Sequence, residues 1–319
     1  MGNTSLRRRL AVVLALWVTV IVPAAAAAET LRIGYQKYGT LVVLKARGTL
    51  EQQLAPLGVT VQWVEFPGGP QLLEALNVGS LDVGVAGETP PVFAQAAGAD
   101  LLYIAHEPPA PTSEAILVHR DSPIRDLAQL RGHKVALNKG SNVHYLLVRA
   151  LESAGLTWRD IQPVYLPPAD ARAAFERGAV DAWAIWDPYL AAAQAQLPVR
   201  VLADATGLAD NHQFYLARGD WAARHPQRVV TLIAAIREVG EWSAREPQQV
   251  ADQVAPLLGL SPAITLNAVQ RQGYGAQPLS PEVVAAQQRI ADSFAALKLI
   301  PKPLSVAQRV WTPPADGEH

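Results

Sequence analysis

The sequence predicts an α/β protein of two similar lobes with a cleft between them, joined by two crossover segments. Three observations predict it. First, a block occurs twice, about 100 residues apart, from Leu31-Arg32-Ile33-Gly34 to Asp82-Val83-Gly84-Val85 and from Lys134-Val135-Ala136-Leu137 to Asp181-Ala182-Trp183-Ala184. In register, Gly39-Thr40 falls on Gly140-Ser141, Gly79-Ser80-Leu81-Asp82 on Gly178-Ala179-Val180-Asp181, and Gly87-Glu88 on Trp186-Asp187. Second, each copy reads strand, loop, helix three times over, and parallel strands joined this way put their ligand-facing loops at the strands' carboxyl ends. Third, the pattern breaks twice, once at a proline-rich stretch and once at a polar one, and each break is a natural crossing between lobes.

Taken in order, lobe 1 opens with a strand at 31–34, a helix near 40–54, a strand at 59–65 and a helix at 71–78. A third strand follows at 81–85, and Pro90 starts a helix that Gly98 ends. A strand at 101–106 then runs into Glu107-Pro108-Pro109-Ala110-Pro111, too proline-rich for a helix and read as a stiff crossing to a strand at 115–119. Lobe 2 repeats the plan from Arg131 to about Leu197 and closes with a strand at 199–203. Asp210-Asn211-His212-Gln213 is the return crossing into a strand at 214–217. Beyond Trp221 the chain reads as helical, with Pro226, Pro247 and Pro262 near helix starts, and it trails off as coil from Trp311. The division expected is 29–112 for the first part of lobe 1, 113–211 for lobe 2, and 212–319 for the return strand and C-terminal helices of lobe 1. Two crossings imply two hinges, near Pro111 and Asn211, about which lobes can close on a ligand.

Residues 1–28 read as an export signal. Arg7-Arg8-Arg9 is a basic start, the apolar core runs from Leu10 to Val22, and Pro23 with the alanines to Ala28 forms a small-residue cleavage region. Such a core is short for a membrane span, so cleavage near Ala28 and a periplasmic protein are expected. The chain has no cysteine, which excludes disulfides and a lipoprotein anchor. Its 27 basic and 28 acidic residues nearly cancel, so nothing favours nucleic acid or an anionic membrane as partner.

The matched loops carry the candidate site. Gln36-Lys37-Tyr38-Gly39-Thr40 and Asn138-Lys139-Gly140-Ser141-Asn142 each place a lysine, a glycine and a small hydroxyl residue where a helix begins. Glycine permits the tight turn, and free N–H groups at the positive end of the helix dipole suit an oxyanion. Thr40 and Ser141 also read as ordinary N-caps of their own helices. The third loops are Ala86-Gly87-Glu88-Thr89-Pro90 and Ile185-Trp186-Asp187-Pro188-Tyr189. Trp186 offers a flat apolar wall with an indole N–H, whereas Trp183, in the other phase of its strand, reads as core. Glu88 and Asp187 either grip the loop backbone or meet a cationic or hydroxyl group on the ligand, and both readings are open at the level of sequence. No catalytic triad, nucleotide-binding glycine pattern or zinc spacing is present, so neither an enzyme nor a cofactor is expected.

In Trp63-Val64-Glu65-Phe66-Pro67-Gly68-Gly69-Pro70, Leu73-Glu74-Ala75-Leu76-Asn77-Val78-Gly79-Ser80, Pro91-Val92-Phe93-Ala94-Gln95-Ala96-Ala97-Gly98-Ala99-Asp100 and Asp170-Ala171-Arg172-Ala173-Ala174-Phe175, the sequence resembles the periplasmic aliphatic sulfonate-binding proteins of ABC importers. The run Asp181-Ala182-Trp183-Ala184-Ile185-Trp186-Asp187-Pro188-Tyr189 carries the resemblance furthest, and it extends from Leu31 to Trp311. It implies a periplasmic-binding-protein-like fold of type II and a monomeric receptor that hands an alkanesulfonate to a permease and its ATPase as a sulfur source. The pocket residues it implies are Gln36, Gly39, Thr40, Gly87, Glu88, Thr89, Gly140, Ser141, Asn142, Trp186 and Asp187, with Phe214 at the return crossing. The chain departs from the family's pattern at Ala86, where a hydroxyl residue is usual, and at Asn142 and Val143, where serines are usual; His106 and His212 stand where smaller or less polar residues are expected. Taurine, nitrate, other small oxyanions and pyrimidine precursors are the alternative ligands that the wider family implies.

Overall fold

The computed structural model describes residues 29–313, so the expected export signal lies outside the described residues. From the first strand the order is β1 (Glu29–Tyr35), α1 (Gly39–Arg47), α2 (Thr49–Leu54), β2 (Val59–Glu65), α3 (Gly69–Asn77), β3 (Val83–Gly87), α4 (Thr89–Ala96) and β4 (Leu101–His106). There follow β5 (Glu114–His119), β6 (Lys134–Leu137), α5 (Asn142–Ser153), β7 (Gln162–Tyr165), α6 (Pro168–Glu176), β8 (Ala182–Trp186), α7 (Tyr189–Gln196) and β9 (Val199–Asp204). The chain then returns through β10 (Gln213–Arg218) to α8 (Gly219–Arg224), α9 (Pro226–Arg245), α10 (Pro247–Leu258), α11 (Pro262–Val269) and α12 (Pro281–Ala296).

The helix expected near 40–54 is two helices. Gly48 adopts a left-handed conformation (φ 63°) that closes α1, its N–H bonding back to the carbonyls of Leu44 and Lys45. A residue that can take positive φ without steric cost ends a helix even where the apolar spacing continues.

Two five-stranded sheets form, ordered β2-β1-β3-β10-β4 and β7-β6-β8-β5-β9. In each, three strands run parallel and the fourth position is filled by an antiparallel strand that has crossed from the other half of the chain, β10 in lobe 1 and β5 in lobe 2. The repeated aspartates show why the repeat is structural. Asp82 accepts the backbone N–H of Arg32 at 2.9 Å and Asp181 that of Lys134 at 2.8 Å, so each carboxylate pins the third strand beside the first. The backbones answer in kind, with Asp82 and Asp181 donating to the Arg32 and Lys134 carbonyls at 2.9 Å.

Each sheet is buried by its helices. Lobe 2 has one core around Trp183, Phe175 and Leu146, while lobe 1 has one on each face of its sheet. The lobes also trade residues. Tyr38, from the loop after β1, packs in the core of lobe 2, and Tyr145, from α5, packs against Phe294 and Ile290 of lobe 1. Burying a side chain of that size contributes about 1.5–3 kcal/mol, so these two aromatics favour lobes held together.

The two crossings run side by side. The Asn211 side chain donates to the Ala110 carbonyl and to the Ser113 hydroxyl, both at 2.9 Å, and Ala110 N–H donates to the Asp210 carbonyl at 3.0 Å. Asn211 itself has φ 54°, a left-handed conformation that asparagine tolerates better than most residues.

The turn after α11 is pressed against α9 at Gly240, where an added Cβ would stand 2.1 Å from the Gly275 Cα. Gly240→Ala is therefore expected to displace that turn and cost about 1–3 kcal/mol of stability. Chemical denaturation checks it; an unchanged midpoint would mean the two segments can slide apart freely.

Candidate functional site

The matched loops face one another across the lobe seam. A Cβ at Gly87, the last residue of β3, would meet Asn142 at the start of α5, with Oδ1 at 2.9 Å and Cβ at 3.0 Å. One at Gly68 would stand 2.6 Å from Asn138 Nδ2. Glycine is what allows the lobes to approach here. Gly87→Ala is accordingly expected to prise the seam open, lower stability by about 1–3 kcal/mol, and enlarge the radius of gyration in small-angle scattering. A variant that keeps both values would show that the two loops do not close on each other.

In lobe 1, the N-terminus of α1 is already occupied by a side chain of the protein. Glu107, from the first crossing, accepts the Thr40 N–H at 2.7 Å and the Tyr215 hydroxyl at 2.6 Å, both at Oε1. Gly39, with φ 77°, leaves room for this carboxyl, whose oxygens would stand 3.0 and 3.2 Å from an added Cβ. Thr40 does not cap its helix: its hydroxyl accepts the Gly275 N–H at 3.0 Å, and the N-cap position is Tyr38. Gln36 donates to the Val85 carbonyl at 3.0 Å and so ties the first loop to the third strand.

In lobe 2 the Gly140 N–H donates to His144 Nδ1 at 3.1 Å, and the Ser141 hydroxyl donates to the Asn138 carbonyl at 2.7 Å. Ser141 is the N-cap of α5, yet its side chain caps nothing. The Asn142 and Val143 N–H groups that open this twelve-residue helix thus have no side-chain cap, while the His144 N–H bonds back to the Ser141 carbonyl at 3.0 Å. Asn142 stands at the seam and is held from its own side, donating to the Glu114 carboxyl of β5 and to Asn211 Oδ1 of the return crossing at 3.0 Å.

In the third loops, Glu88 accepts the His212 N–H at Oε2, 3.2 Å away, and burial pushes its pKa up to about 8. Thr89 is fully buried beside it. Asp187 is fully buried and grips its own helix through the Ala191 N–H at 3.0 Å. It also receives Arg271, from the segment after α11, as a bidentate pair with both bonds at 2.7 Å. That is the one ion pair between the two lobes among the described residues. Trp186 lines the end of β8 with 5% exposure and an edge-on contact to Tyr189, whereas Trp183 is fully buried. Phe214 lies in the lobe 1 core with its ring edge-on to Tyr103.

Several residues that matter here carried no sequence signal. Glu107 read as part of a stiff crossing, and Arg271 sat in a helical stretch with no motif around it. Tyr38 and Ser113 join lobe to crossing through a 2.6 Å hydroxyl pair that neither residue type announces. At the seam, Thr89 Oγ1, Asn138 Nδ2 and one oxygen of Glu114 are buried without hydrogen-bond partners. Leaving such groups unpaired costs about 1–3 kcal/mol each, so the seam is chemically incomplete and suits a ligand with polar atoms of its own. Among the described residues no group of three His, Cys, Asp or Glu side chains could hold a metal ion, and no helix is long and apolar enough to cross a membrane.

Comparison with known proteins places this architecture. The model of the NMT1-like family matches residues 24–259. A curated Escherichia coli (strain K12) protein named for binding aliphatic sulfonates is 48% identical over 296 residues, 92% of each chain. The crystal structure of the periplasmic aliphatic sulphonate binding protein SsuA from Escherichia coli superposes with a TM-score of 0.82 at 46% identity, covering 91% of this chain and 95% of that one. The alkanesulfonate-binding protein SsuA from Xanthomonas axonopodis pv. citri, bound to MOPS, gives 0.84 at 44% identity over 90% of this chain and 99% of that one. With these matches spanning nearly the whole described structure, the chain belongs to the NMT1-like family and, within it, to the aliphatic sulfonate-binding proteins.

Proposed function

We propose that this protein is the substrate-capturing receptor of an ABC importer, which closes on an aliphatic sulfonate in the periplasm and delivers it to a membrane permease and its ATPase as a source of sulfur. Residues 1–28 act as the export signal, and the mature protein works as a monomer. The observation that carries the reading is the seam itself: uncapped N–H groups of α5 and the unpartnered Thr89 and Asn138 side chains meet where two lobes close. A sulfonate is fully ionised, and neutral N–H and O–H donors held by a folded scaffold replace its water without a counter-charge. Gln36, Gly39, Thr40, Gly87, Glu88, Thr89, Gly140, Ser141, Asn142, Trp186 and Asp187 are the proposed pocket, with Phe214 behind it. Thr89 and the α5 N-terminus supply donors, with the unpartnered Asn138 amide beside them, Trp186 supplies the wall for the alkyl chain, and Glu107, Asn142 and Asp187 hold the loops in shape.

The test is calorimetry and thermal melting against ethanesulfonate, butanesulfonate, taurine, a sulfate ester and nitrate. An alkanesulfonate at 100 times its dissociation constant should stabilise the protein by about 2.7 kcal/mol. Stabilisation by nitrate with none by any sulfonate would overturn the reading.

A further inference from the structure

A cavity of about 400 Å³ opens at the lobe seam to one side of the loops, between α5 of lobe 2 and α12 of lobe 1. Its walls carry two guanidinium groups, Arg149 from α5 and Arg289 from α12, together with the hydroxyls of Tyr145 and Ser293. Tyr145, both arginines and Glu88 all line this one space. Arg149 commits part of its guanidinium to Glu152 and holds the Leu208 carbonyl at 3.4 Å, whereas Arg289 has no carboxylate within ion-pair distance among the described residues. Glu88 closes the cavity on the cleft side, with Oε1 buried and unpartnered. Its raised pKa, about 8, makes it a proton donor at neutral pH. Asp210 is the one carboxylate lining the space besides Glu88, and it is exposed.

The lining thus sets two guanidinium groups and two hydroxyls against the carboxyls of Glu88 and Asp210, and Arg289 is the guanidinium that no carboxylate among the described residues engages. Two arginines facing one space repel each other unless something negative lies between them, and a planar guanidinium fork matches the oxygens of a sulfate, sulfonate or phosphate. The volume falls in the range of small-ligand sites. We propose that this cavity is an accessory oxyanion site, bridging Arg149 of lobe 2 and Arg289 of lobe 1, that abuts the ligand cleft at Glu88 but is separate from it. Because it joins the lobes, its occupant favours the closed arrangement of the protein. The inference rests on the cavity's own residues and stands apart from the sulfonate reading of the cleft.

The probe is inorganic sulfate, titrated by calorimetry at low ionic strength into the full-length mature protein already saturated with butanesulfonate. Sulfate should bind the parent, and Arg289→Gln and Arg149→Gln should each weaken it roughly tenfold, as expected for losing a charged hydrogen-bonding partner that is partly open to water. Both arginines are on the solvent side of their helices, and butanesulfonate affinity and melting temperature should stay at parent values in both variants. If butanesulfonate fails to bind at all, the same sulfate titration is run on the free protein, and the arginine variants decide the accessory site alone. Sulfate binding that is absent from the parent, or unaffected by either substitution, overturns the proposal. So does a matching loss of butanesulfonate affinity, which would make the cavity part of the main cleft.

Discussion

Replacing Arg271 with Gln is expected to lower the free energy of unfolding by about 3–5 kcal/mol and the melting temperature by on the order of 10 °C. The reason lies at the other end of the pair. Asp187 is fully buried, and the guanidinium holds both of its oxygens at 2.7 Å, so removing Arg271 strands a charge in the protein interior. Burial already pushes the Asp187 pKa upward, with Arg271 opposing it. Without the arginine the carboxyl takes up a proton more readily, and the loss of stability should shrink toward acidic pH. Because Arg271 belongs to lobe 1 and Asp187 to lobe 2, the variant should also bind ligand more weakly and scatter with a larger radius. Adding Asp187→Asn should recover much of the stability, since the double variant has no buried charge to strand. A single variant that loses less than about 1 kcal/mol would place this pair with ordinary surface ion pairs and would show that it does not hold the lobes together.

Stability is expected to be greatest near pH 4.5, the ordinary value of the two carboxyls, and to fall from there to about pH 8, by on the order of 3 kcal/mol between pH 6.5 and 8.5. Burial raises the pKa of Glu107 to about 7 and of Glu88 to about 8, from 4.5. A carboxyl whose folded pKa lies above its unfolded one leaves the native state holding the extra proton, so its contribution is present at low pH and is lost as pH rises through the folded value. His144 works the other way. Burial lowers its pKa to about 4, so the stability it contributes is present above its ordinary value of 6.5 and disappears as pH falls toward 4. The alkaline arm therefore belongs to the two glutamates. Glu107→Gln keeps a carbonyl oxygen for the Thr40 N–H and the Tyr215 hydroxyl, and Glu88→Gln keeps one for the His212 N–H. Each should flatten that arm when unfolding is measured by denaturant across the pH range. An alkaline arm already flat in the parent would show that these carboxyls are ionised throughout.

Much of this molecule is legible in its sequence because the signals are local or repeated. The period and order of the apolar runs place the strands, the aspartate at equivalent points of the repeat marks how the third strand meets the first, and the glycines of the matched loops mark where backbone must turn or come close. Local chemistry also marks Trp183 as core and points to the cleft as the place where the loops gather. The uses of the loop groups are another matter. That Thr40 gives its N–H to Glu107 and its hydroxyl oxygen to Gly275, that the Ser141 hydroxyl turns back to Asn138, and that Asp187 serves Arg271 as well as its own helix all depend on partners 3 to 235 positions away in the chain. A side chain's hydrogen-bond partner is chosen by distance in space, and a buried polar group takes whichever partner the folding of remote segments brings within reach. Sequence alone therefore determined two lobes, two crossings and the loops that meet between them, while only the tertiary structure decided which donors those loops have already committed and which remain for a ligand.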